Sequence, residues 1–224
     1  MKPVFALRQD AREIFNAALK AADAAKAVSR HLRVDGQSID IDGRLYSLTN
    51  YRKIFVVGAG KGSAQMCKAL AELIGDWLYG GIIITKYGYA VPVKKIAIIE
   101  AGHPIPDENG LRATKQVLSL LRQTTSEDLV INLISGGGSA LLCSPADGVP
   151  FREKQEITRL LLRCGAPIGE INAIRKHISK VKGGHLARLA YPSTLISLIL
   201  SDVVGDSISD IASGPTAPDP STFS

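Results

Sequence analysis

Strand-length apolar runs that alternate with helical patterns predict an α/β fold for this chain of 224 residues. The runs are continuously apolar rather than alternating, which suits strands buried on both faces of a parallel sheet. Two of them lead straight into glycine-rich turns followed by a helical pattern. Together these observations predict a three-layer α/β/α domain, Rossmann-like, with a mainly parallel sheet, preceded by a small N-terminal helix and a β-ribbon.

The elements follow in order. Residues 8–32 are Ala-rich, with Ile14, Ala18, Leu19 and Ala22 near one face, and read as one helix. Residues 38–46 alternate around Asp42-Gly43, a hairpin signal. Residues 53–57 form the first sheet strand, Gly58-Ala-Gly-Lys-Gly62 a glycine turn, and residues 63–74 a helix. Strands are predicted at 81–85, 95–100, 128–134 and 193–200, and helices at 108–122, 151–163, 168–182 and 184–190. The first strand is expected at the centre, the second and third stepping out on one side, the fourth returning to the other. Ligands of such sheets bind beyond the strand C-termini where the order reverses. That makes the turn at 58–62 and the turn at 135–139 facing lips of one crevice.

Composition bounds the function. Apolar residues make up 46% and charged residues 21%, ordinary for a soluble globular protein. The formal charge of +6 is scattered apart from a modest cluster at 175–182, and aromatic content is 5%, too sparse for base stacking. The charge therefore points to anionic small molecules rather than nucleic acid. The apolar runs are too short to span a bilayer, and no signal-type segment opens the chain. Cys67, Cys143 and Cys164 are odd in number and far apart, which suggests reduced thiols in a cytoplasmic protein.

The chemistry-bearing segments lie at strand ends. Ser135, Gly136, Gly137, Gly138 and Ser139 can wrap backbone amides around a phosphate or carboxylate, although a tight turn without ligand uses the same residues. At the other turn, the spacing of Gly58, Gly60 and Gly62 leaves Ser63 where a dinucleotide fingerprint needs Gly or Ala. The next strand ends in Thr85-Lys86 rather than an acid, which disfavours NAD. The lysine is followed by glycine, so the P-loop pattern fails. What remains is a turn that presents Lys61 as a compact positive charge at the mouth of the crevice, or a structural turn whose lysine is simply solvated. His103, in Ala101-Gly-His-Pro-Ile-Pro-Asp-Glu108, is an acid, a base, a substrate-orienting group or a loop brace. No His-x-x-His or Cys-x-x-Cys spacing predicts zinc. On helical spacing Arg175, Ser179 and Lys182 share a face that either meets phosphate or is simply solvated. Asp202 and Asp206, after the last strand, suit Mg2+ or a proton-accepting role, or else cap and turn the chain.

In order, Val57-Gly-Ala-Gly-Lys-Gly62, Gly102-His-Pro-Ile-Pro-Asp107, Ser135-Gly-Gly-Gly-Ser-Ala-Leu-Leu142, Asn172-x-x-Arg-Lys-His-Ile-Ser-x-x-Lys-Gly-Gly184, Ser201-Asp-Val-x-Gly-Asp206 and Ile211-Ala-Ser-Gly-Pro-Thr216 resemble the glycerate 2-kinase family. That resemblance implies Mg2+- and ATP-dependent phosphorylation of D-glycerate to 2-phosphoglycerate. The family's proposed catalytic lysine falls on Lys61. Phosphoryl transfer of this kind would use the 135–139 amides around an anionic group, with Asp202 or Asp206 holding Mg2+ or accepting the hydroxyl proton. Arg175 and Lys182 would anchor phosphate or carboxylate. Val204 stands where the family usually has proline, Ser207-Ile208 replaces Asp-Pro, and His185 replaces Arg or Gly. Family members continue into a second, MOFRL-type C-terminal domain that contributes to the cleft. Residues 1–224 are thus expected to be a single N-terminal α/β domain, weak or inactive alone. A NAD-dependent hydroxypyruvate reductase and a non-catalytic anion-binding module are the alternatives, and a homodimer is left open.

Overall fold

A parallel strand covered on both faces buries nearly every position, and one largely apolar segment does so throughout, its polar Asp128, Asn132 and Ser135 included. Strand β7 (Asp128–Ser135) is buried at every residue. In the computed structural model, which describes residues 2–222, it lies second from one edge of a five-stranded sheet. With β4 (Lys53–Ala59), β5 (Leu78–Lys86), β6 (Ile96–Ala101) and β8 (Thr194–Leu200), the order is β6-β5-β4-β7-β8, every pair parallel. The expected arrangement, first strand central with reversal on its far side, is the one observed.

Alternate residues of each strand feed two cores. Ile54, Val56, Leu129, Ile131 and Leu133 face α2 (Ala24–His31) and α3 (Ser63–Ile74), against Val28, Leu70 and Ile74. Val57, Ala59 and Val130 face α4 (Glu108–Leu121) and α8 (His185–Ala190), against Val117, Leu121 and Leu186. Two helical layers thus sandwich the sheet. Each fully buried side chain contributes roughly 1.5–3 kcal/mol; truncating Ile131 to alanine would cost about 2–5 kcal/mol through transfer and cavity terms. Among the described residues, no helix is long and apolar enough to cross a membrane.

The N-terminal region departs from expectation. The predicted single helix is two: α1 (Val4–Ala21) and α2, interrupted where Asp23 caps α2 by accepting from the Lys26 amide at 2.8 Å. No residue of α1 is buried, so the face carrying Ile14 and Leu19 lies uncovered. The ribbon gains a strand: β1 (Leu32–Asp35), β2 (Ser38–Ile41) and β3 (Arg44–Ser47) form an antiparallel sheet whose Leu32, Ile39 and Ile41 join the α2/α3 core.

A short helix, α5 (Gly138–Leu141), follows β7, and α6 (Phe151–Arg163) matches its predicted limits. Helix α7 (Ile168–His177) ends earlier than expected. Beyond His177 the chain is captured by residues 144–146: Ala146 N donates to Ile178 O and Lys180 N to Ser144 O, both at 3.1 Å. Buried Lys154 on α6 also donates its Nζ to Ile178 O at 2.9 Å. These tertiary bonds outcompete another helical turn, so Ser179 and Lys182 are not on one helical face with Arg175.

Candidate active site

The segments that follow β6, β7 and β8 surround a cleft of about 510 Å³ whose wall includes His103, Gly137, Ser139, Arg175 and Asp202. The two glycine turns meet beside it. Gly60 has φ +150°, and a Cβ there would fall 2.1 Å from Ser135 Oγ, so only glycine lets the first turn cross the end of β7. Lys61 N donates to Gly136 O at 2.9 Å and Gly62 N to Ser135 Oγ at 2.9 Å; the Ser63 hydroxyl lies 3.1 Å from the same oxygen. Ser135 is therefore a buried clasp between the turns. Gly58 permits the close approach of β4 to β7, since its Cβ would sit 2.1 Å from Leu133 O. Gly138 is wedged against Ala59 O and the Ala212 methyl.

Gly136, Gly137 and Ser139 form the part of the turn that meets the cleft groups. A Cβ on Gly136 would lie 2.2 Å from Asp202 Oδ2. One on Gly137, at φ +87°, would lie 2.9 Å from His103 Cδ2 and 3.4 Å from Lys61 Cε. The absent side chains thus leave room for Asp202, His103 and Lys61 to converge over the turn. The amides of Gly137, Gly138 and Ser139 donate to no protein acceptor among the described residues.

Two cations at the site are free to meet an anion, and Asp202 and Asp210 stand on the same wall. Neither Lys61 nor Arg175 has a carboxylate partner among the described residues. Burial pushes the Arg175 pKa down, yet a guanidinium stays charged. Burial, then the nearby Lys61 and Lys86 charges, lower His103 below the usual imidazole range, so its ring is neutral at pH 7. Asp202 is exposed on the cleft wall and makes no hydrogen bond or ion pair among the described residues.

Two expected anchors sit elsewhere. Lys182 is fully buried behind the cleft, where Nζ donates to Ser139 O at 2.6 Å and Leu142 O at 3.2 Å. It shares a narrow recess with Lys154 and Arg175. Burial first, then those two cations, lower its pKa to about 7. It braces the glycine turn from beneath. Asp206 is exposed, does not line the cleft, and closes a turn at φ +52° with its amide on Val203 O. No group of three or more His, Cys, Asp or Glu side chains that could hold a metal occurs among the described residues.

The structure adds residues that the motifs contained without marking. Asn172 Nδ2 donates to Asp210 O and Oδ1, both at 3.2 Å. Ser213 Oγ donates to Asn172 Oδ1 at 2.9 Å and lies 2.8 Å from Ser139 Oγ. Asn172 and Asp210 also line the cleft. A polar residue inside a helix pattern and an unassigned acid after the last strand were the available signals.

These features define an α/β domain with a glycine-walled cleft carrying charges of both signs at the carboxyl ends of its strands. The chain belongs to the family described as "Domain of unknown function (DUF4147)", whose profile matches residues 10–224. It is 43% identical over 217 residues to a glycerate 2-kinase of Pyrococcus horikoshii, covering 97% of this chain and 48% of that protein. It is 44% identical over 218 residues to a putative hydroxypyruvate reductase of Agrobacterium vitis, covering 96% and 46%. The solved structure of a glycerate kinase from Thermotoga maritima matches with a TM-score of 0.81 at 40% identity, covering 97% of this chain and 49% of that one. The resemblance drawn from the motifs to the glycerate 2-kinase family is borne out. The chain spans about half the length of the curated relatives it matches.

Proposed function

We propose that the complete protein transfers a phosphoryl group from ATP to D-glycerate, giving 2-phosphoglycerate, and that residues 1–224 are the N-terminal domain carrying much of its active site. The observation that carries this is the convergence of Arg175, Asp202 and a turn with unused backbone amides on one cleft, with Lys61 reaching the same turn at Gly137. Phosphoryl transfer needs positioning and charge neutralisation more than covalent chemistry. Lys61 offsets charge on the transferring group, Arg175 and the turn amides hold anionic oxygens, and Asp202 takes the proton of the attacking hydroxyl or faces the metal. His103, neutral at pH 7, orients the ligand. An unpartnered carboxylate fits Mg2+, which needs few protein ligands and keeps water and phosphate oxygens for the rest; when bound, the ion neutralises phosphate charge. We assign Gly58, Gly60, Ser135 and Lys182 to shaping the turns. The isolated domain is weakly active or inactive, and reduced thiols suit a cytoplasmic enzyme.

The reductase reading finds no support at the second strand end. Thr85 Oγ1 donates to Gly60 O at 3.1 Å and Lys86 follows, so the strand itself ends without the acid that a dinucleotide fold uses for a ribose, and neighbouring Glu100 is engaged by the Gly88 amide at 2.6 Å. The test is turnover of the complete gene product with D-glycerate and Mg2+-ATP, identifying the phosphoglycerate formed. Formation of 2-phosphoglycerate is expected; a folded protein that forms none refutes the proposal.

A further inference from the structure

The hydrogen-bond chain behind the cleft settles the polarity of one hydroxyl in its wall. Asn172 is 2% exposed, and its Nδ2 meets the Asp210 carbonyl, which can only accept. Turning the amide over would set oxygen against oxygen, so Asn172 Oδ1 faces Ser213. The fully buried Ser213 hydroxyl has one proton and gives it to that Oδ1. Only lone pairs remain on Ser213 for Ser139, so the Ser139 proton points away from the cleft at Ser213 Oγ. The loop is held for this purpose by an unusual backbone: Ala212, Ser213 and Gly214 all have positive φ, 52°, 60° and 59°. Each non-glycine residue in that region costs of order 1–3 kcal/mol and persists only where its surroundings enforce it.

We infer that Ser139 is a specificity-determining residue whose hydroxyl accepts a hydrogen bond from the substrate hydroxyl that is not phosphorylated, with Asn172 and Ser213 as positioning residues. The inference rests on the kinase reading of the site. It divides the cleft by chemistry: Lys61, Arg175 and the turn amides take oxygens that accept, whereas Ser139 takes a group that donates. For glycerate phosphorylated at C2, that group is the C3 hydroxyl. A phosphate or carboxylate oxygen against Ser139 would meet lone pairs, so this hydroxyl also repels a ligand bound in the wrong sense.

The experiment compares kcat/KM for D-glycerate with that for the analogue bearing fluorine in place of the C3 hydroxyl, using the complete gene product at saturating Mg2+-ATP. Fluorine cannot donate. The wild-type protein should favour D-glycerate by roughly tenfold to a hundredfold, the scale of one lost substrate hydrogen bond. Ser139→Ala should shrink that ratio by roughly tenfold or more relative to the wild-type protein, chiefly by losing D-glycerate. Ser213→Ala leaves the Ser139 hydroxyl in place but frees its proton, and should shrink the ratio as well. Both substrates meet the same folded molecules, so partial unfolding of a variant cancels, as does the effect of fluorine on the reacting hydroxyl. A ratio unchanged in Ser139→Ala, or an equal loss of both substrates, overturns the inference while leaving the kinase reading intact. Absence of D-glycerate turnover by the wild-type protein overturns both.

Discussion

An alanine at position 136 would set its methyl carbon 2.2 Å from Asp202 Oδ2 and 2.8 Å from Asp202 Cγ. Carbon and oxygen in ordinary contact stand about 3.3 Å apart or more, so the carboxylate must retreat by roughly 1 Å. The backbone at Gly136 is not in the left-handed region, so alanine adds no strain there. Asp202 is exposed and without a partner among the described residues, so it can swing away at little cost. Stability should stay within about 0.5 kcal/mol of wild type. A reacting group misplaced by about 1 Å costs on the order of a hundredfold in rate, or about 2.7 kcal/mol of barrier. The measurement is kcat for D-glycerate on the complete gene product, beside the melting temperature of the same preparation. Gly60→Ala is the contrasting variant. Its φ of +150° and a methyl 2.1 Å from Ser135 Oγ and 2.6 Å from Ser135 O press on the end of a fully buried strand. It should lose roughly 3 kcal/mol or more of stability. Wild-type kcat in Gly136→Ala would show that Asp202 has no part in the reaction.

Other outcomes follow from the same geometry. Lys61→Ala should lower kcat about a hundredfold or more, as expected for removing one preorganised charge; an unchanged kcat removes Lys61 from the chemistry. Lys182, held at about 7 when folded, keeps its proton to about 10.4 when unfolded. Between those values the unfolded state binds more protons, so this group makes stability rise with pH, by up to about 1.4 kcal/mol per unit, while below pH 7 its full cost is present. Lys182→Met should flatten the stability profile between about pH 7.5 and 9 by close to one proton, read from urea unfolding at each pH; an unaltered slope refutes it. Burial pushes Cys67 up to about 12 and raises Cys143, whereas Cys164 is exposed. A thiol reagent at pH 8 should therefore modify Cys164 in the native protein and reach the other two only on unfolding. Native labelling of Cys67 would show that the α3 core opens.

Much of this architecture was legible in the chain. Continuous apolar runs mark strands buried on both faces, and glycines at their ends mark the crevice, because both signals are local. The order of the sheet, the facing turns and the clustering of Lys61, His103 and Asp202 followed from those signals and simple winding rules. What tertiary structure alone decided is where long-range hydrogen bonds compete with local preference. The helical pattern through residue 182 is sound by itself, yet bonds from residues 144–146 and from Lys154 end α7 at His177. Lys182 is then turned inward beneath the Gly138–Leu141 helix, whose carbonyls need donors, instead of outward to a ligand. Asp210, Asn172, Ser213 and Ser139 become one chain only because the strands and their loops carry residues from 139 to 213 to the same edge of the cleft. Periodicity records which face of an element is apolar. It carries no information about which distant carbonyl a lysine or serine will meet, since that depends on packing the elements together.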